Sequence, residues 1–176
     1  MAGTTTNNSW DYPTSTDLVT NGALAIQTLA DEIDTSVGAG LKAWVSFTPT
    51  ISGTGWVKGS GTITGRYCKI GKTVHFEYNY LFSTAGSGAA GTGALTFDLP
   101  VNAQSTISPN YVQVVINDAS PSALYLGVGS VTSSSVVCYV INAGSTYAAL
   151  NNLANTAPIT FATGDEIRVN GTYECV

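Results

Sequence analysis

Residues Ser60 to Phe82 read SGTITGRYCKIGKTVHFEYNYLF, and this stretch decides the fold class. Gly71-Lys72 can close a two-residue hairpin turn with glycine at its first central position. That turn fixes a register. It sets Ile70 opposite Thr73, Lys69 opposite Val74, Cys68 opposite His75, Tyr67 opposite Phe76, Arg66 opposite Glu77 and Ile63 opposite Tyr80. One face then carries Ile63, Tyr67, Val74, Phe76, Tyr78 and Tyr80. The other carries Arg66, Cys68, His75, Glu77 and Asn79. Turn chemistry, face alternation and the opposed charges of Arg66 and Glu77 all agree, as they do in a real hairpin.

The same period of two runs outward from this hairpin along residues 41–176. Strands are predicted over Ala43 to Thr50, Ser60 to Ile70, Lys72 to Phe82, Ala94 to Leu99 and Tyr111 to Asn117. More follow over Ala123 to Val131, Ser135 to Asn142, Pro158 to Phe161 and Glu166 to Glu174. Many short strands with turn signals between them and no intervening helix predict a mainly β head, a jelly-roll-like antiparallel sandwich. Composition agrees. Only 10% of the 176 residues are charged, against roughly 25% in an ordinary soluble domain. Gly, Ser, Thr and Asn take their place, which suits strands and turns. Thr84 to Gly93 (TAGSGAAGTG) reads as a flexible loop.

Toward the N-terminus the pattern changes. Residues 1–16 are polar and read as an extended attachment arm whose large apolar groups are Trp10 and Tyr12, the anchors expected to dock it on a partner. Residues 17–40 have helical periodicity, with Thr16 or Asp17 as the N-cap and Gly38-Ala39-Gly40 as the stop. Val19, Ile26 and Ile33 recur every seven residues, and Gly22, Leu29 and Ser36 follow each by three. A helix of this length is marginal alone, so its stripe must meet a partner. Two partners stay open: the chain's own β head, or other copies in a short coiled coil with Val19, Ile26, Leu29 and Ile33 facing the axis. The seam itself leaves dimer and trimer both open.

Net charge is −5, and the six Lys and Arg show no basic footprint for nucleic acid. No run approaches the roughly 20 apolar residues of a membrane span. Met1 to Asn8 lacks the apolar core of a signal peptide. Folding in a reducing cytoplasm is therefore expected, with Cys68, Cys138 and Cys175 as small hydrophobes in no zinc spacing. His75 is the one histidine, so any Ser-His-Asp arrangement has to use it, and no GxSxG elbow accompanies it. Asp98, Asp118, Asp165, Glu166 and Glu174 fall into no spacing that pairs two carboxylates about a sugar. The expectation is a head that works by its surface, without catalytic residues, cofactor or metal. Flat aromatics (Trp44, Trp56, Tyr111, Tyr125, Tyr139, Tyr147) are the sugar-stacking candidates. The loops Thr54 to Ser60, Thr84 to Gly93 and Asn142 to Asn152 are the places to look, with Trp56 and Tyr147 the expected glycan contacts.

Two stretches resemble segments of actinobacteriophage minor tail proteins and related phage fibre-like proteins. The first is Tyr12-Pro-Thr-Ser-Thr-Asp-Leu-Val19 running into Gly22-Ala-Leu-Ala-Ile-Gln-Thr-Leu-Ala-Asp-Glu-Ile-Asp34. The second is the β part, with Trp44, Phe47-Thr-Pro49, Gly65-Arg-Tyr-Cys-Lys-Ile-Gly-Lys72, Leu99-Pro100, Gly164-Asp-Glu-Ile167 and Gly171-Thr-Tyr-Glu174. The resemblance implies a virion component, a homotrimer joined to other tail or capsid proteins and displayed outward. A head that binds a host-surface glycan and a purely structural cap or decoration both stay open, with a polysaccharide depolymerase as the minor alternative. Long tail fibres carry shaft repeats; this short chain has none, which leaves tail tip and capsid both open as its place.

Overall fold

A computed structural model describes residues 3–6, 9–15, 21–40, 43–83, 90–104, 110–144 and 148–176, without the side chains of 38–40. It falls into two units, Met1–Ala43 and Trp44–Val176.

The first unit holds a two-stranded hairpin and one helix. β1 (Gly3–Thr4) pairs antiparallel with β2 (Asp11–Tyr12), setting Gly3 opposite Tyr12. Tyr12 lays its ring over Gly3, where a Cβ would meet the ring at 2.7 Å. The helix α1 runs Gly22–Gly40. The arm therefore departs from the extended form expected of it. Its described residues fold back, and the Trp10 indole Nε1–H donates to Ser36 Oγ at 3.0 Å while the Asp11 N–H donates to Glu32 Oε2 at 2.6 Å. The physical reason is local. A short helix gains stability only through a covered face, and a nearby tryptophan can cover one.

The second unit is mainly β. Its strands are β3 (Val45–Phe47), β4 (Ile51–Ser52), β5 (Thr62–Ile70), β6 (Thr73–Leu81), β7 (Thr96–Asp98), β8 (Asn110–Asp118), β9 (Ala123–Val131), β10 (Ser135–Asn142), β11 (Ala149–Asn152) and β12 (Glu166–Glu174). All ten join one antiparallel sheet in the order β3-β5-β6-β12-β8-β9-β10-β7-β4, with β11 also on β10. Laid flat, nine strands would span about 38 Å at ~4.8 Å each. Yet β3 and β4 stand at opposite ends of that order and are joined through Phe47 and Ile51, whose four-residue separation reaches at most about 14 Å. The sheet must therefore curl until its ends approach. Tyr78 on β6 and Phe97 on β7 show the result: their rings lie 6.0 Å apart across the interior. This curled sheet with a half-barrel is consistent with a β-sandwich.

The expected hairpin is present in the expected register. Arg66 pairs with Glu77, Tyr67 with Phe76, Cys68 with His75 and Ile63 with Tyr80. Gly71 takes a φ of 58° in the turn, a conformation that favours glycine. Val74, Phe76, Tyr78 and Tyr80 are all buried, and side chains of this size each contribute roughly 1.5–3 kcal/mol on burial. Against them pack Leu95 and Phe97, then Val112, Val114 and Ile116 of β8, Val136 and Cys138 of β10, and Ile167, Val169 and Tyr173 of β12. Cys138 and Cys175 are wholly buried, Cys68 half-buried.

The differences are at the margins. Residues Pro158 to Phe161 form no strand. Ile159 plugs the core there, and Phe161 stacks on Phe82 at 4.7 Å. β4 and β11 were not legible as strands, being two and four residues long.

Candidate functional site

Alternation along each strand sends one set of side chains to the core and the other to the outer surface. Because the registers are continuous, the outer side chains line up in rows across the sheet. One row runs Ser46, Arg66, Glu77, Asn170, Gln113, Val128, Tyr139 and Asn152. The next begins Thr64, Asn79, Arg168, Val115 and Leu126. On β3, β5, β6 and β12 both rows are polar and charged; the first turns apolar after Gln113, at Val128 and Tyr139, and ends on Asn152, and the second turns apolar at Val115 and Leu126.

The polar half is concave. A groove of about 610 Å3 opens there, lined by Ser46, Thr64, Arg66, Glu77, Asn79, Gln113, Arg168 and Asn170, with Gly65 in its floor. Gly65 is required by close approach: a Cβ there would stand 2.6 Å from the Tyr78 ring and 2.9 Å from the Phe47 carbonyl oxygen. The two guanidiniums are held. Arg66 Nε donates to Glu77 Oε1 at 2.5 Å, and the guanidinium lies 4.7 Å from the centroid of the Trp44 ring. Arg168 donates through Nη2 to Glu166 Oε2. Such exposed pairs add little stability, but they fix the side chains and neutralise their charge. Asn79 Oδ1 is buried and has no hydrogen-bond partner. The groove thus offers amides, hydroxyls and one orphaned acceptor around balanced charge. That is chemistry for a neutral, hydroxyl-rich ligand.

The apolar half lies on β8, β9, β10 and β11. Tyr111, Leu124, Leu126, Ile141 and Leu150 are exposed, Leu124 and Leu126 at 69% and 59%. Half-buried Val115, Val128, Val137 and Tyr139 fill the space between them. β9 turns its leucines outward, and its inward positions are Tyr125, Gly127, Gly129 and Val131. A Cβ on Gly129 would lie 2.5 Å from Val136 Cγ1 and 2.7 Å from Val112 Cγ2, so neighbouring valines already occupy that space.

The residues singled out from sequence fall in different places. Trp56 is a correction. It is 7% exposed, its Nε1–H donates to the Gly93 carbonyl at 2.8 Å, and its ring packs on Phe82 and Phe161. An indole buried on both faces has no room for a sugar. Tyr147 lies outside the described residues, as does Val19. Trp10 is half-buried against the helix, while Tyr12 is 41% exposed. Ile26 and Ile33 lie on the exposed side of α1 together with Val37, and Leu29 is half-buried. His75 hydrogen-bonds Thr172 Oγ1 through Nδ1 at 2.9 Å. No group of three metal-ligating side chains is found among the described residues. Asp165 turns both carboxylate oxygens to backbone N–H groups, Ala119 at 2.9 Å and Ala162 at 2.6 Å.

Sequence reasoning placed Arg66, Glu77 and Asn79 together on the face away from the apolar one, as they are, and missed the groove residues Gln113, Arg168 and Asn170. Nothing local indicated that β12 would lie between β6 and β8 and complete the rows. No family model, no curated protein and no solved structure gives a significant match to this chain.

Proposed function

We propose that this chain is a structural protein of a bacteriophage particle, minor-tail or fibre-like, displayed outward with its β head toward the host surface. The observation that carries the reading is the pairing of a short helix bearing an exposed apolar stripe, Ile26, Ile33 and Val37, with a curled β head bearing a polar groove. The helix stripe is the oligomerising element, with Leu29 beside it, and a homotrimer is its assembled form. Exposed Tyr12 is the better placed of the two arm aromatics to touch a tail or capsid partner. The finer reading of the head is a jelly-roll-like sandwich. The groove between β3, β5, β6, β12 and β8 is the contact for a neutral cell-surface glycan. The function is binding and not catalysis, with no cofactor.

Mass spectrometry and immunogold labelling of purified particles test the assignment. The chain is expected in the particle at the tail tip. Label on the capsid selects the second reading, a decoration or head-fibre protein with a purely structural role. Absence from the particle overturns both. For the groove, Asn170→Leu and Gln113→Leu are expected to slow adsorption about tenfold, the effect of leaving a ligand hydroxyl unpaired. His75→Ala is expected to leave adsorption unchanged.

A further inference from the structure

We propose that the outer face of β8 to β11 packs against a second copy of this chain. The inference stands without the virion reading and goes beyond the helix stripe, since it names a contact made by the heads themselves.

Three observations carry it. First, the outward positions of these strands hold no charge: Tyr111 to Asn117, Leu124 to Ser130, Val137 to Ile141, then Leu150 and Asn152 are all apolar, hydroxyl or amide residues. Each copy carries a net charge of −5, so two copies repel wherever charged faces meet. An uncharged face is where like-charged copies can touch, whereas a basic or acidic partner would be met by charges of the opposite sign. Second, the size fits. Tyr111, Leu124, Leu126, Ile141 and Leu150 present on the order of 500 Å2, at the upper end of the largest apolar patch on an ordinary monomer, ~300–600 Å2. With the half-buried valines between them the face approaches the ~800 Å2 per partner of a standard interface. Third, the leucines cannot turn inward. Gly127 and Gly129 face the core: a Cβ on Gly127 would stand 2.2 Å from the Tyr139 carbonyl oxygen, and one on Gly129 would meet Val136 and Val112. A one-residue slip of β9 would bring Leu126 or Val128 to positions where no Cβ fits, so the exposed face is built into the register.

The helix stripe adds to this. Copies joined at α1 hold their heads at high effective concentration, so the head contact can be weak alone and still form.

Sedimentation equilibrium on the full chain at micromolar concentration tests the proposal. The wild-type chain is expected to self-associate. Leu126→Glu is expected to raise the dissociation constant about tenfold or more, because it buries an unpaired charge at the centre of the contact. Leu126→Thr keeps a strand-forming residue and is expected to weaken association less. It decides the question if the charged variant does not fold, as judged by circular dichroism. Ile33→Glu separates the helix from the head. If Ile33→Glu weakens association while folded Leu126→Glu and Leu126→Thr match the wild type, the head contact is refuted. A monomeric wild-type chain refutes it as well, and then the face belongs to a different protein or to another part of this one.

Discussion

The Asp165 carboxylate accepts the backbone N–H of Ala119 at 2.9 Å across 46 positions of sequence, and it is 1% exposed. Its second oxygen holds the Ala162 N–H, and its own carbonyl accepts from Phe82 N–H at 2.9 Å. One buried acid thus ties the ends of β6 and β8 to the start of β12. Asp165→Ala strands two N–H groups without partners and is expected to lower stability by about 2–4 kcal/mol. Asp165→Asn keeps one acceptor and is expected to lose less. Urea unfolding followed by tryptophan fluorescence measures both.

Two buried tyrosines give opposite expectations. The Tyr78 hydroxyl is buried without a partner, whereas the Tyr173 hydroxyl donates to the Val101 carbonyl at 2.7 Å. Tyr78→Phe removes an unsatisfied polar atom and is expected to be neutral or stabilising by up to about 1 kcal/mol. Tyr173→Phe leaves a carbonyl unpaired and is expected to cost about 1 kcal/mol. Thermal denaturation of the two single variants side by side tests the contrast.

Alkaline pH is expected to unfold the head. Burial raises the pKa of Tyr78, with the charges of Tyr173 and Asp98 adding to it; burial also raises the pKa of Tyr80, Tyr173 and Cys138. In each case the neutral form is held in the folded state while the unfolded chain ionises at ordinary values, near 9 for the thiol and 10 for the phenols. The folded state then binds more protons than the unfolded one, so stability is full below about pH 9 and falls as pH rises beyond it. Urea midpoints measured from pH 7 to 11 should stay flat and then drop. A flat profile through pH 11 contradicts this account.

Trp56→Ala is expected to destabilise the head by about 3–5 kcal/mol, as large core truncations do. It would release the Gly93 carbonyl and empty the space against Phe82 and Phe161. Any loss of ligand binding in this variant should track the loss of folded protein, measured by circular dichroism on the same sample.

The hairpin at Gly71-Lys72 was legible because everything that fixes it is local: the turn residue, the alternation and the Arg66–Glu77 pair. Helix and head were separable because the period changes near Leu41. The outer surface was not legible, because its rows are made by strands far apart in sequence, as when Asn170 comes between Glu77 and Gln113. Trp56 misled because its loop, rich in glycine and polar residues, reads as surface. Its burial depends on Gly91 and Gly93, which lie close against Thr54 from a distant segment.

β12 lies inside the sheet, its residues Glu166 to Glu174 paired with β6 on one side and Glu166 to Asn170 with β8 on the other. During translation this central strand emerges after both of its neighbours. Until Glu174 has left the ribosome, β6 and β8 each present an open edge to the crowded cell, the kind of template on which nascent chains aggregate. The head therefore cannot mature piece by piece as it is made. A message truncated before Glu166 would yield not a smaller head but a sticky, protease-sensitive fragment.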